Sequence, residues 1–129
     1  GKIGEIMGPV SGYVLTSEGC PTVYIMGDCK WEACIRETVE RLRPDYIVVN
    51  SGGAVFPEFS KVDGCIIPDE AEVMQMLDEL PMQIKLIAVH MDATDHGQTT
   101  RAILRNEALH HGVDMSRLLI PEDGETIKL

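Results

Sequence analysis

The stretch "AVHMDATDHG", Ala88 to Gly97, sets two histidines and two aspartates within seven residues, directly after an apolar run. Imidazole nitrogen and carboxylate oxygen are the donors that hold zinc, iron or manganese, so these residue types suit metal binding. A second polar break, "YIMGDCKW" (Tyr24 to Trp31), has the same form: an apolar run, then Gly27, then the carboxylate of Asp28. Gly27 lets the backbone turn sharply and allows a ligand to approach closely. A third break, Asn50-Ser51-Gly52-Gly53, follows "YIVV". Each has a plainer reading. Asp28 stands close enough to a helix beginning near Trp31 to be its N-cap, and on local sequence alone the cap is the simpler assignment. A histidine at a strand end is commonly a hydrogen-bonded structural residue, and Asp92 and Asp95 can form turns. His110 and His111 fall in the last turn of a helix, where imidazole complements the dipole, and are assigned no chemistry. "NSGGA" offers a glycine-bearing loop for a phosphate, which would make the chain a small phosphate- or nucleotide-binding domain, but it lacks GxGxxG and GxxxxGK[ST].

These groups need elements to bring them together, and the pattern supplies them. "GYVLTSEG" and "PTVYIMG" read as a β-hairpin around Gly19-Cys20-Pro21. Val23 to Met26, Tyr46 to Asn50 and "IKLIAVH" are continuous apolar runs, as expected of strands covered on both faces. Trp31, Ile35, Val39 and Leu42 follow at helical spacing, and Pro44 stops that helix. "SGGAVFPEFSKVDG" has the composition of a long loop. "PDEAEVMQMLDEL" reads as a helix capped by Asp69, with Glu72 in capping-box position. Thr99 or Thr100 caps the helix through "RAILRNEALHH", and Gly112 ends it. "RLLIP" and "ETIKL" read as short terminal strands. Strands alternating with helices make an α/β protein with a substantially parallel sheet, in which ligands gather at the carboxyl ends of the strands. Gly27-Asp28, Asn50-Gly53 and His90-Asp92 all lie at such ends.

The bulk numbers bound the function. At 129 residues, with 44% hydrophobic residues, the chain is one domain or part of one, with material for a packed core. A formal charge of −10, from 21 acidic against 11 basic residues, argues against nucleic acid or an anionic membrane as partner. Metal ions and small-molecule substrates remain. No apolar run approaches the roughly 18 residues that span a bilayer, and the N-terminus has no signal-peptide pattern, which sets the expectation of a soluble, cytoplasmic protein. Four cysteines, with no CxxC pair, indicate neither a disulfide framework nor a zinc knuckle.

Taken in order, "GPVSGYVL", "VYIMGDCKW", "RPDYIVVNSGGA", "AVHMDATDHGQTTR" and "IPEDGETIKL" resemble the second half of metal-dependent hydrolases of the metallo-β-lactamase superfamily, in the branch of ascorbate-6-phosphate-lactonase-like proteins. The resemblance runs over essentially the whole chain. It implies half of an αββα sandwich: one mixed sheet with helices on one face. It also implies that Asp28 matches the aspartate that bridges two metals and hydrogen-bonds the attacking hydroxide, that His90 matches a ligand of the second metal, and that His96 lies beside the ligands or in the substrate pocket. Many relatives carry threonine where this chain has Cys29, which bears on metal preference and redox sensitivity.

The family's HxHxDH motif has no counterpart in these 129 residues, whose histidines are His90, His96, His110 and His111. The expectation is therefore the C-terminal half, residues 1–129, of a metallo-β-lactamase-like domain whose N-terminal half lies outside this chain. Half a sandwich leaves the inner face of its sheet bare, and apolar patches above a few hundred Å² are rare on monomers. That face is expected to be covered by the missing half or by a second copy, making a homo-oligomer. The complete enzyme would hold a dinuclear divalent site, zinc first, with manganese or iron as alternatives. Its metal-bound hydroxide would attack an ester, lactone, phosphoester or amide, while the isolated chain would be inactive. The rival is a non-catalytic α/β module with Asp28 as a cap and His90 as a structural residue.

Overall fold

The computed structural model describes residue 5, residues 8–58 and residues 64–129. Five strands form one sheet: β1 (Tyr13–Leu15), β2 (Val23–Ile25), β3 (Tyr46–Asn50), β4 (Lys85–Val89) and β5 (Leu118–Leu119). The sheet order is the chain order, β1 pairing antiparallel with β2 and the remaining neighbours pairing parallel. Helix α1 (Ala33–Leu42) links β2 to β3, α2 (Glu70–Glu79) links β3 to β4, and α3 (Arg101–His111) links β4 to β5. Parallel crossovers are right-handed, so three that step in one direction place all their helices on one face.

The burial pattern agrees. Tyr24, Ile47, Val49, Leu86 and Ala88 alternate along β2, β3 and β4 and are buried. They form one core with Ile35 and Val39 of α1, Val73, Met76 and Leu77 of α2, and Leu104 and Ala108 of α3. Among the described residues no helix or second sheet covers the opposite face. Across it runs the register row Tyr13, Ile25, Val48, Ile87, Leu119, with Leu15, Val23, Tyr46 and Lys85 in a second row. Tyr13 and Leu15 are 65% and 56% exposed on this apolar face. The fold is thus mixed α/β, a five-stranded sheet with three helices on one side.

Local chemistry explains most boundaries. Asp69 caps α2 by accepting from the Glu72 N–H at 2.9 Å. The reciprocal half of the capping box is not made: Glu72 accepts instead from the Trp31 N–H at 2.6 Å and pairs with Lys30 at 2.7 Å, tying the start of α2 to the loop before α1. Thr100, rather than Thr99, caps α3, and Gly112 ends it with φ 74°. Trp31 lies outside α1, whose N-cap is Glu32. Its ring is buried and its Nε1–H donates to Glu79 at 2.7 Å. The expected strand "ETIKL" does not form, because no ladder partner reaches residues 125–129. Residues 59–63 of the expected long loop lie outside the described residues. Among the described residues no helix is long and apolar enough to cross a membrane.

Candidate metal centre

Register brings the three polar strand ends to one edge. Val48 pairs with Ile25 and Ile87, and Asn50 with Val89, so Asp28, Asn50 and His90 follow in step at the carboxyl ends of β2, β3 and β4. The central residue joins its neighbours. Asn50 Nδ2 donates to Asp28 Oδ1 at 2.6 Å. Asp28 does not cap α1, which begins beyond it at the uncapped Glu32. One carboxylate oxygen is held by Asn50, and the exposed side chain keeps further lone pairs for a cation. By strand alternation Asn50 shares the open face with Tyr46 and Val48, so this pair borders the uncovered apolar surface.

His90 stands exposed at the end of β4 with φ 63°, and Asp92 follows with φ 61°. Few residues other than glycine adopt this left-handed backbone. Gly52 explains part of it: a Cβ at that position would lie 2.3 Å from the His90 carbonyl oxygen, so only glycine lets the β3 loop pass so close. The loops after β3 and β4 are zipped further by the bridge between Ala54 and Gly97 and by the Val55 N–H donating to the His96 carbonyl at 2.9 Å. His96 stacks on Phe56, with ring centroids 5.3 Å apart and 16° between planes, forming a flat wall beside the strand ends. In the glycine-bearing loop the N–H groups of Ser51 and Gly53 are spent on the carbonyls of Val89 and Pro68, which leaves them unavailable to a phosphate.

Cys29, next to Asp28, packs partly buried against the core. Burial, then Cys34, Asp28 and Glu32, push its thiol above the ordinary range. It lines a cavity of about 720 Å³ between the β1–β2 hairpin and α1, together with Tyr24, Cys34 and Cys65. Burial also raises the Cys65 thiol and the Tyr24 phenol.

Asp28 and His90 are of the right chemical types for a divalent metal, but their number falls short. Among the described residues no three His, Cys, Asp or Glu side chains converge on a position that could hold a metal. A catalytic zinc takes three protein ligands. With β3 between their strands, Asp28 and His90 are roughly 10 Å apart at the backbone, from about 4.8 Å per strand spacing. The described residues alone therefore do not complete a metal site.

Two residues show their role only through contacts distant in sequence. Asn50 is a polar strand end in the sequence, and the fold makes it the donor that holds Asp28. Arg101 carries one sequence signal, a cation in the first turn of α3 against the helix dipole. It is buried and meets Asp92, Asp123 and the Pro121 carbonyl.

In fold, this one-sided α/β sheet is similar to solved structures of hydrolases. An isothiocyanate hydrolase from Delia radicum gut bacteria matches with a TM-score of 0.87 and 34% identity, over 98% of this chain and 47% of its own. A possible metal-dependent hydrolase from Veillonella parvula matches with a TM-score of 0.87 and 32% identity, over 97% of this chain and 46% of its own. The UPF0173 protein YddR of Bacillus subtilis is 31% identical over 123 residues, 95% of this chain and 46% of that protein. The chain spans about half the length of the proteins it matches. No protein-family model matches it.

Proposed function

We propose that these 129 residues are the C-terminal half of a metal-dependent hydrolase of metallo-β-lactamase type, and that the N-terminal half lies over the open sheet face. The observation that carries the reading is the Asp28–Asn50 pair, 2.6 Å apart, on the carboxyl edge that also presents His90. A helix cap would have turned Asp28 towards α1; instead its carboxylate accepts from Asn50, a residue on the bare face.

In this reading Asp28 and His90 are ligands, and the remaining ligands come from the other half. A divalent metal, zinc being the best match to this oxygen and nitrogen pair, with manganese or iron as alternatives, would supply water activation near neutral pH. Asp28 would help to hold a dinuclear centre. Asn50 holds one Asp28 oxygen so that the carboxylate cannot rotate away. Gly52 admits His90 to the edge. His96, braced by Phe56, walls the substrate side and orients a small-molecule ester, lactone, phosphoester or amide. The relative named as an isothiocyanate hydrolase adds that electrophilic carbon to the substrate classes. A cytoplasmic location accords with the free thiols.

Metal analysis tests this with a readout besides activity. In the full-length hydrolase, Asp28→Ala and His90→Ala should each lower bound metal at least tenfold while circular dichroism stays unchanged. The 129-residue chain alone should bind metal weakly, hydrolyse nothing, and self-associate through its bare face in light scattering. Turnover by the chain alone, or full metal content in both variants, would refute the proposal.

A further inference from the structure

The turn that carries His90 is held from behind by one buried cation. His90 and Asp92 both adopt left-handed backbone, φ 63° and 61°. Such residues persist only where their surroundings over-determine them. Gly52 crowds the turn from one side, through the close approach to the His90 carbonyl. Arg101 secures the other. Its backbone N–H and its Nη1 both donate to Asp92 Oδ2, at 3.2 and 3.0 Å. The same guanidinium reaches the C-terminal turn: Nε donates to the Pro121 carbonyl at 2.7 Å, Nη2 to Asp123 Oδ1 at 2.5 Å, and Glu122 lies 3.8 Å away. The Arg101 side chain is only 9% exposed. The α3 dipole disfavours a cation in this first turn, so the reason for an arginine here lies in these partners.

We propose that Arg101 is a positioning residue: by pinning Asp92 and clamping the Pro121–Asp123 turn behind it, it holds the His90 turn in one conformation and delivers the imidazole to the strand edge in one orientation. This deepens the reading of His90 as a metal ligand and rests on it for its functional meaning. The planar, forked guanidinium is required, because it donates in three directions at once. Lysine, with one nitrogen, can serve the Asp92 or the C-terminal side but not both in the same geometry.

Histidine ring signals in long-range ¹H–¹⁵N spectra of the metal-free chain provide the test, with His90 assigned through His90→Gln. Asp92→Gly is the discriminating variant. Glycine adopts positive φ freely, so if the turn needs only that backbone, His90 will be undisturbed. If the Arg101 tether sets it, the single set of His90 ring signals will be lost to multiple or broadened sets in Asp92→Gly and in Arg101→Lys. The His110 and His111 signals and the β3 and β4 amides will not move. Unchanged His90 signals in both variants would overturn the proposal. So would global unfolding in both, since Arg101 would then hold the fold rather than the turn. No metal enters this measurement, so failure of the ligand reading is detected separately, in the metal content of Asp28→Ala and His90→Ala hydrolase.

Discussion

Gly52→Ala is the smallest change that should damage this edge. The added Cβ would sit 2.3 Å from the His90 carbonyl oxygen and 3.6 Å from His90 Nδ1. The atom it meets first is backbone, and no rotamer change can move it away. Gly52 is also buried between β3 and the His96 loop, where its carbonyl accepts from the Thr99 N–H at 3.0 Å. Relief therefore requires the β3 loop or the His90 turn to shift by about 1 Å, breaking that hydrogen bond or the Ala54–Gly97 bridge. Overpacking of this kind costs about 1–3 kcal/mol. For a chain of this size each kcal/mol lowers the melting temperature by about 4 °C, so thermal unfolding should fall by about 4–12 °C. Calorimetry measures the shift, and the His90 ring signals should move with it. A melting temperature within 1 °C of wild type, judged against the roughly 4 °C expected per kcal/mol, would refute the close approach of Gly52 to His90.

Glu79 should control an acid limb of stability. Hydrogen bonds from Arg36, Gln75 and Trp31 hold its carboxyl at about 2, below the ordinary 4.5. The unfolded chain then binds the proton more readily between these values, so the stabilisation is complete above about 4.5 and is lost as pH falls through about 2. Urea unfolding as a function of pH should show a shallower acid limb for Glu79→Gln, and an unchanged limb would contradict the network. Arg117 is buried, and its guanidinium donates to the carbonyls of Leu77, Leu80, Pro81 and Ile84, closing the end of α2. Arg117→Met should cost about 2–4 kcal/mol by urea unfolding, because several buried carbonyls lose their donor; a loss below about 0.5 kcal/mol would mean that water replaces the guanidinium.

Much of the scaffold was legible because its signals are local. Three apolar runs gave β2, β3 and β4; Asp69 capped one helix, and Gly112 stopped another. Legibility failed where a partner distant in sequence decides. Trp31 continues the spacing of Ile35 and Val39, yet it lies outside α1 because its indole N–H is claimed by Glu79 and its backbone N–H by Glu72. Glu72 stands in capping-box position, but Lys30 and Trp31 outcompete the backbone for it. "ETIKL" has strand-forming residues and no neighbouring strand to pair with. At the site, Asp28 and His90 could be named from pattern and resemblance, and the geometry rather than the pattern turns Asp28 away from α1 and towards Asn50. Asn50 acts through a contact 22 residues away, and Arg101 through contacts nine, 20 and 22 residues away along the chain, which no local window displays.

The bare sheet face and the proposed partial ligand set meet at the same edge, and one element would satisfy both. Asn50 shares its face with Tyr46 and Val48, so the Asp28–Asn50 pair stands where the apolar rows of β2, β3 and β4 end. A second layer packed about 10 Å above those rows would bury the half-exposed Ile25 and Val48, and its own strand ends would fall opposite Asp28 and His90. The two candidates for that layer differ in the donors they bring. A second copy of this chain would cover the rows equally well, but would bring only another Asp28 and another His90 to the edge. A different half, of the length by which the matching hydrolases exceed this chain, is free to carry imidazoles that this sequence lacks. Coverage alone does not distinguish them, whereas donor identity does: a second copy repeats one aspartate and one histidine, and a different half adds other side chains.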